Sequence, residues 1–431
     1  MDRLHRQLVA AVVVLAVVAI AGMAALWPAP FDVPPAESPG ELFTGRVVAI
    51  DRYVDDVAPG FAFSGASARI DVEILDGSQS GEVIRIDTLL DGYPEFNLGD
   101  RVRVVSVDGG LEQIYSIYDF ERTSPLLWLV ALFVGVVLLV GRWHGFRSLI
   151  GLVLSLGIVV GFIVPAILAG ESPFAVAFFG ALAVMLVTLP LSHGINPMTG
   201  ASIVGTAGAL TLTILLGVWF IDAVHLTGFS SEEANMARYA VDGLDPKGLV
   251  LAGMIIAALG VLDDVTVSQA STVFALRSAN AELGWNGLFS RAMTVGRDHI
   301  ASTVNTLVLA YVGASLALLV LFSTSGVAGS ELLTSEIIAE EIVKTLVGSI
   351  GLIAAVPFTT ALAASLAIRQ DPSAMIAGAH GHHHGGHDHT SDALDSAASS
   401  DDGSQDHDYE AMINTVKYGS PQGPDPENPP A

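Results

Sequence analysis

The sequence contains no cysteine in its 431 residues. Disulfide bonds, thiol catalysis and cysteine-ligated metals are therefore excluded, although His, Asp and Glu remain available as metal ligands. Charged residues are also scarce, at 15% of the chain, whereas a soluble protein has about a quarter. No GxxxxGK[ST] phosphate-binding loop is present, so nothing indicates ATP hydrolysis.

Basic residues are the rarer charged type, with 19 Lys and Arg against 44 Asp and Glu and a net charge of −25. The acid is concentrated in residues 30–124 and in the tail that follows Arg369. Nucleic-acid-binding proteins need basic surfaces, because they must neutralise phosphates. A nucleic-acid partner is therefore not expected.

Long apolar runs dominate the rest of the chain, which is 52% hydrophobic. A helix needs about 20 apolar residues to cross a bilayer, and several runs are that long. The first run follows Arg3 and Arg6 and could be a signal peptide, but its length favours an uncleaved anchor. The pattern predicts an α-helical membrane protein with eight spans, near 8–27, 126–141, 148–169, 173–191, 201–221, 248–268, 302–322 and 343–368.

The distribution of arginine in the loops predicts the orientation, because short cytoplasmic loops collect Lys and Arg. With a cytoplasmic N-terminus, the inner connections are 141–147, 192–200 and about 269–301, and most of the loop arginines lie in them. Eight spans then return the C-terminus to the cytoplasm. The predicted organisation is an anchor at 1–29, an extracytoplasmic domain at 30–124, a seven-helix membrane domain at 125–370 and a disordered cytoplasmic tail at 371–431.

The extracytoplasmic segment is rich in β-forming residues. Five alternating or β-branched runs, separated by Gly, Asp and Asn, predict a small barrel of OB or SH3 type. Such a barrel can bind ligands or act as a docking module for a protein partner outside the cell, and its acidity favours the second role. The runs are "FTGRVVAI", "ARIDVEIL", "GEVIRIDTL", "DRVRVVSV" and "QIYSIYDF".

Polar side chains interrupt two of the predicted spans. In "LAGMIIAALGVLDDVTVSQAS" (251–271), Asp264, Ser268 and Ser271 recur at i, i+4 and i+7, with Asp263 to one side. Carboxylates are costly inside a bilayer, so they should face another helix or a hydrated cavity. Alternatively, Asp264 forms a structural ion pair with Arg291 or Arg297.

The next span repeats this pattern. Asp298, Ser302 and Asn305 recur at i, i+4 and i+7, with Thr306 beside them. Asp, Asn, Ser and Thr oxygens suit a cation or a relayed proton, so the two stripes predict an ion site between the sixth and seventh helices. Alternatively, Asp298 only caps a helix.

The fifth span begins with Asn196 and Pro197 and continues with Gly200, Gly205 and Gly208. These residues indicate either close helix packing or a broken helix end at a substrate site, to which Asn196 would contribute.

The acidic tail contains the stretch "HGHHHGGHDH". Imidazoles bind Zn, Ni, Cu or Co, so this stretch predicts weak binding of a divalent metal ion and no other cofactor. The candidate ligands are His380, His382, His383, His384, His387 and His389.

Several stretches between about residues 40 and 370 resemble the YibE/F-like family of bacterial multi-pass membrane proteins. The resemblance implies a location in the bacterial plasma membrane, and members are often described as transporters. It also favours Asp264 over Asp263, and it implies no catalytic residue. The stretches are "GEVIRIDTLLDGYPEFNLGDRVRV", "HLTGFSSEEA", "LDPKGLVLAGMIIAALGVLDDVTVSQAS", "GRDHIASTVNTLVLAYVGASLALLVLF" and "EIVKTLVGSIGLIAAVPFTTALAA".

These features favour a membrane permease for a small solute, in particular an ion, that is not an enzyme. The alternative is a membrane scaffold that does not transport and acts through its extracytoplasmic domain. An intramembrane aspartyl protease is disfavoured, because the context "GRDHI" does not resemble the GxGD motif of that class.

Overall fold

The structure is a computed structural model of the whole chain. The described residues are 3–28, 40–54, 66–77, 79–89, 95–108, 113–230, 232–241, 243–324, 326, 331 and 333–370. The predicted tail, with its six candidate metal-binding histidines, lies outside these residues.

A five-stranded antiparallel sheet precedes most of the helices, as the sequence predicts. Its strand order is β3-β2-β1-β4-β5, and all neighbouring strands are antiparallel. One face buries Phe43, Ile70, Ile86 and Val104, and along β2 and β3 the buried residues alternate with more exposed ones. The strands are β1 (Glu41–Val54), β2 (Ala66–Ile74), β3 (Val83–Leu89), β4 (Arg101–Asp108) and β5 (Gln113–Phe120).

The sheet is curled, which brings its two edge strands β3 and β5 towards each other. Gln79, just before β3, donates a hydrogen bond from Nε2 to the Tyr115 hydroxyl of β5 at 2.8 Å. A register shift between Val47 and Ala49 marks a bulge in β1, and bulges of this kind increase strand bending.

Helices make up the rest of the described chain. The helix α1 precedes the sheet, and the others follow it. Short segments connect the helices, and Pro begins α4, α5 and α7, where its missing N–H costs no hydrogen bond. The helices are α1 (Arg3–Ala25), α2 (Thr123–Ile158), α3 (Val164–Leu168), α4 (Pro173–His193), α5 (Pro197–Ala223), α6 (Glu232–Ala240), α7 (Pro246–Ala279), α8 (Trp285–Ala314), α9 (Leu316–Thr324) and α10 (Glu336–Ala367).

Six helical segments of the described chain are long and apolar enough to cross a membrane. A seventh arises if α8 and α9, which meet at a bend of 58°, form one span. The predicted spans 126–141 and 148–169 fall together in one 46-residue stretch, Thr123–Leu168. The predicted connection near 269–301 is also largely helical, because α7 continues to Ala279 and α8 already begins at Trp285.

The 46-residue stretch is sharply broken at Arg142. Arg142 has φ 48° and ψ −127°, which is non-helical backbone. After this break the chain folds back, so that a Cβ on Gly145 would lie only 2.4 Å from the Val137 carbonyl oxygen. The predicted break between two apolar segments is thus present, but as a tight helical turn rather than an open loop.

Three helices, α5, α7 and α10, form the centre of the helical part. Gly205 of α5 lies against Thr359 of α10, and Gly351 of α10 lies against Thr213 of α5, so these two helices run antiparallel. The small residues of α5 therefore serve close packing, one of the two roles predicted for its glycines. The helix α1 also packs here, since Leu8 fills the space beside Gly200.

Candidate functional site

A cluster of buried polar side chains lies between α5, α7 and α10, in a region otherwise filled by apolar residues. We call it the polar core. Each member has a relative exposure of 2% or less, which is uncommon for polar groups. Its members are Ser202 and Thr206 of α5, Thr266 and Gln269 of α7, and Thr359 and Thr360 of α10.

Hydroxyl groups connect α5 to α7. The Oγ1 atoms of Thr206 and Thr266 are 2.7 Å apart and share a hydrogen bond. The single hydroxyl proton of Ser202 is shared between two acceptors, the Met198 carbonyl oxygen at 3.2 Å and the Thr266 carbonyl oxygen at 3.4 Å. A hydroxyl can donate and accept at once, so these side chains join the two helices through a chain of hydrogen bonds.

Gln269 connects α7 to two further helices. Its Nε2 donates to the Ala292 carbonyl oxygen of α8 at 3.0 Å and to Thr360 Oγ1 of α10 at 2.7 Å. Gly296 leaves room for this amide, because a Cβ there would lie 3.0 Å from both of its terminal atoms. These hydrogen bonds fix the position of α8 along the axes of α7 and α10.

Asp263 borders the polar core. Its carboxyl group lies beside the Thr206 hydroxyl, and its Oδ1 is buried without any hydrogen-bond partner among the described residues. Thr359 Oγ1 is likewise buried and unpartnered. A buried polar atom without a partner costs about 1–3 kcal/mol, so both atoms mark places where a proton, a water molecule or an ion would be stabilised.

The neighbouring aspartate points elsewhere. Asp264 and Ser271 are exposed, Ser268 is half-buried, and the buried face of α7 instead carries Thr266 and Gln269. Asp264 lies within electrostatic range of His193, at the end of α4. The spacing predicted from the sequence is therefore present on α7, but on its outer face.

The second predicted stripe also faces outward. Asp298, Ser302, Asn305 and Thr306 of α8 are all exposed, so the two stripes do not enclose a site within one copy of the chain. The alternative of a capping role for Asp298 is also wrong, because α8 begins at Trp285. The predicted ion pairs of Asp264 are not formed among the described residues.

Asn196 has a structural role at the start of α5. Its Oδ1 accepts a hydrogen bond from the Thr199 backbone N–H at 2.9 Å, and its Nδ2 donates to the His193 carbonyl oxygen at 2.9 Å. These are the contacts of a helix N-cap.

A second polar cluster, at the start of α10, was not predicted. Glu336 accepts hydrogen bonds from the Thr227 hydroxyl at 2.8 Å and the Gly228 N–H at 2.9 Å. Glu340, which is buried, accepts from the Ser230 hydroxyl and forms an ion pair with Lys344 at 2.6 Å. The spacing i, i+4, i+8 of Glu336, Glu340 and Lys344 was the signal that could have revealed it.

The polar core was also missed, although its residues carry a weak signal. Ser202 and Thr206 are spaced i and i+4, and Thr266 and Gln269 are spaced i and i+3, which places each pair on one helix face. Within the described residues, no group of three or more His, Cys, Asp or Glu side chains could hold a metal ion.

Comparison with known proteins adds one result. The family model described as YibE/F-like protein matches residues 129–369, which is more than half of the chain and includes the polar core. No curated protein and no solved structure matches the chain. The chain belongs to the YibE/F-like family.

Proposed function

We propose that the protein is a permease of the bacterial plasma membrane that moves protons through the polar core, with Asp263 as the group that binds the proton. The observation that carries this proposal is the buried Oδ1 of Asp263, which has no partner among the described residues. An ionisable residue inside a spanning segment is costly, and such residues mark ion pathways and proton relays.

The donors around Asp263 favour a proton over a divalent metal ion. One carboxylate and the paired hydroxyls of Thr206 and Thr266 can accept and pass a proton. A Ca²⁺ ion takes six to eight oxygen ligands, and Mg²⁺ needs a near-ideal octahedral set. No covalent chemistry is part of this proposal. The divalent metal bound by the histidine-rich tail is a separate prediction about residues outside the described ones.

The proposed topology has eight spans, with both termini in the cytoplasm. The break at Arg142 supports two crossings within Thr123–Leu168, because about 20 residues suffice for one. The contacts of α5, α7, α8 and α10 place Arg277 and Arg291 at one end of these helices and Glu336 at the other. The positive-inside rule then puts the end with the arginines in the cytoplasm.

We further propose that the curled sheet is an OB-type domain outside the cytoplasm. In an OB fold, β1 pairs with β2 and β4, while β3 and β5 close the barrel. The observed order β3-β2-β1-β4-β5, with β3 and β5 approaching each other, supports this assignment.

Proton flux into proteoliposomes tests the function. The purified full chain is reconstituted with a pH-sensitive dye inside, and a potassium diffusion potential drives proton entry. We expect Asp263→Asn to slow entry at least about tenfold, which corresponds to about 1.4 kcal/mol. The matched control is Asp264→Asn, on the outer face of the same helix turn, which should leave the rate close to that of the wild type.

The two ways in which this experiment can fail are distinct. If wild-type vesicles take up protons no faster than vesicles without protein, the proton permease is refuted. If the wild type is active and Asp263→Asn is equally active, the assignment of the site to Asp263 is refuted while permeation stands.

A second candidate function is that of a membrane scaffold, and one feature of the sheet favours it. A shallow cleft of about 750 Å³ beside the β1 bulge is lined by Val48, Arg52, Phe96, Asn97 and Leu98, of which Val48 and Leu98 are exposed apolar residues. Exposed apolar residues around a cleft suit a protein partner. This alternative is favoured if a Leu98→Asp variant loses the cellular function of the protein while its proton flux in proteoliposomes stays normal.

A further inference from the structure

The outward face of α8 carries a line of polar residues, which we call the α8 stripe: Arg297, Asp298, Ser302, Asn305 and Thr306. All five are exposed. Within the described residues, the side chains of Arg297, Asp298 and Asn305 form no hydrogen bond or ion pair, whereas Thr306 donates to the Ser302 carbonyl oxygen at 3.0 Å. Most of the stripe is therefore unpaired within one copy of the chain.

The stripe lies near the middle of the helical part. Gly296 of α8 lies against Val356 of α10, and Tyr311 and Glu341 line one cleft, so these two helices run antiparallel over most of their length. This register places Asp298 far from both ends of α10. Lipid tails offer no hydrogen bonds, so a charged face at this depth must be covered by protein or water.

We propose that the α8 stripe is covered by the same stripe of a second copy of this chain. The stripe is self-complementary, because Arg297 and Asp298 carry opposite charges at the same height. The Asn305 carboxamide both donates and accepts, so it can pair with its own copy across a two-fold axis. Asn side chains hydrogen-bond between membrane helices in this way.

Small residues on the same face permit close approach of two α8 helices. Ser302, Thr306 and Ala310 follow one another at intervals of four and are all exposed. Gly313 has open space around the position of its absent Cβ. Small residues at this spacing allow membrane helices to pack backbone against backbone, which makes interhelical hydrogen bonds short. The proposal does not depend on the permease function.

The absence of cysteine makes this interface directly testable by cross-linking in native membranes. Ser302→Cys places a single thiol on the stripe of the full-length chain. The control is Leu215→Cys, because Leu215 of α5 is 64% exposed. Leu215 and Ser302 also lie at about the same level along α10, as the residues that face α10 from α5 and from α8 indicate. After oxidation with copper phenanthroline, we expect a reducible species of twice the chain mass for Ser302→Cys and little or none for Leu215→Cys.

A second variant links the cross-link to the polar contacts. Asn305→Leu in the Ser302→Cys background should reduce the dimer fraction several-fold, while the monomer remains inserted and monodisperse. Equal cross-linking at both cysteine positions would overturn the proposal, because it would reflect random collision. So would the absence of cross-linking at position 302, or a product containing a different protein, which would identify another partner.

Discussion

The contact between Gly205 and Thr359 predicts a specific penalty for adding a single methyl group. A Cβ on Gly205 would lie 2.2 Å from Thr359 Oγ1, 3.2 Å from its Cβ and 3.3 Å from its Cγ2. Rotating Thr359 relieves the overlap only in part, because its Cβ, which does not move on rotation, would still lie 3.2 Å from the new methyl group. Gly205→Ala should therefore lower the free energy of unfolding by about 1–3 kcal/mol, the usual cost of overpacking a core.

The same contact predicts that a second substitution restores the free energy of unfolding that Gly205→Ala lowers. Thr359 Oγ1 is buried and unpartnered, so Thr359→Ala removes an unsatisfied polar atom and should be close to neutral by itself. In the double variant Gly205→Ala/Thr359→Ala, the new methyl occupies the space that the threonine vacates. We expect a coupling free energy of about 1–3 kcal/mol, within the range seen for residues in contact.

Unfolding in SDS, followed by far-UV circular dichroism, measures these free energies for the purified chain. Gly253→Ala on α7 is the matched control, because nothing lies within 4 Å of its absent Cβ. This change should be neutral or slightly stabilising, since alanine favours helix over glycine by about 0.5–1 kcal/mol. A Gly205→Ala variant as stable as Gly253→Ala would refute the close packing of α5 on α10.

Two further predictions concern the start of α5 and the sheet. Asn196→Ala should destabilise the protein by about 0.5–2 kcal/mol through loss of the N-cap, whereas Asn196→Asp should keep most of the wild-type stability. Thermal unfolding of both variants measures the effect, and an alanine variant as stable as the wild type contradicts the prediction. A hydrogen bond from Arg85 at 2.8 Å holds the pKa of Asp71 below its ordinary value of 3.8. The pair therefore stabilises the sheet above pH 3.8, and this contribution is lost as the pH falls through the lowered pKa. Asp71→Asn should flatten the acid side of a stability–pH profile, and an identical profile for the variant contradicts it.

Much of the fold follows from local patterns. The five strand runs correspond to β1–β5 because alternation along a strand directly reflects its two faces. The apolar runs likewise fall within helices, and six helical segments of the described chain are long and apolar enough to cross a bilayer, since length and composition determine whether a helix suits one. The conformation of the chain at the Arg142 break could not be predicted, because the local sequence does not distinguish a tight helical turn from an open connection.

The site could be predicted only in part, because helical spacing identifies a face without saying what covers it. Asp264, Ser268 and Ser271 do share a face, but the other side of α7 carries the large apolar residues Leu262 and Val265, which are buried. Which face is buried depends on α5 and α10, whose Thr206 and Thr360 form hydrogen bonds with Thr266 and Gln269 of α7. That information is distributed over three distant segments of the chain.

Successive residues of a helix point about 100° apart, so two adjacent aspartates on α7 necessarily meet different surroundings. Asp263 lies beside the Thr206 hydroxyl with a buried, unpaired oxygen, whereas Asp264 is exposed on the outer side. A proton carrier has to be shielded from lipid and connected to other polar groups, and of these two acids only Asp263 combines burial with neighbouring hydroxyls. The outer polar residues of α8 must be covered if this helix lies within a bilayer, and the proposed association of two copies would cover them without altering the proposed interior pathway.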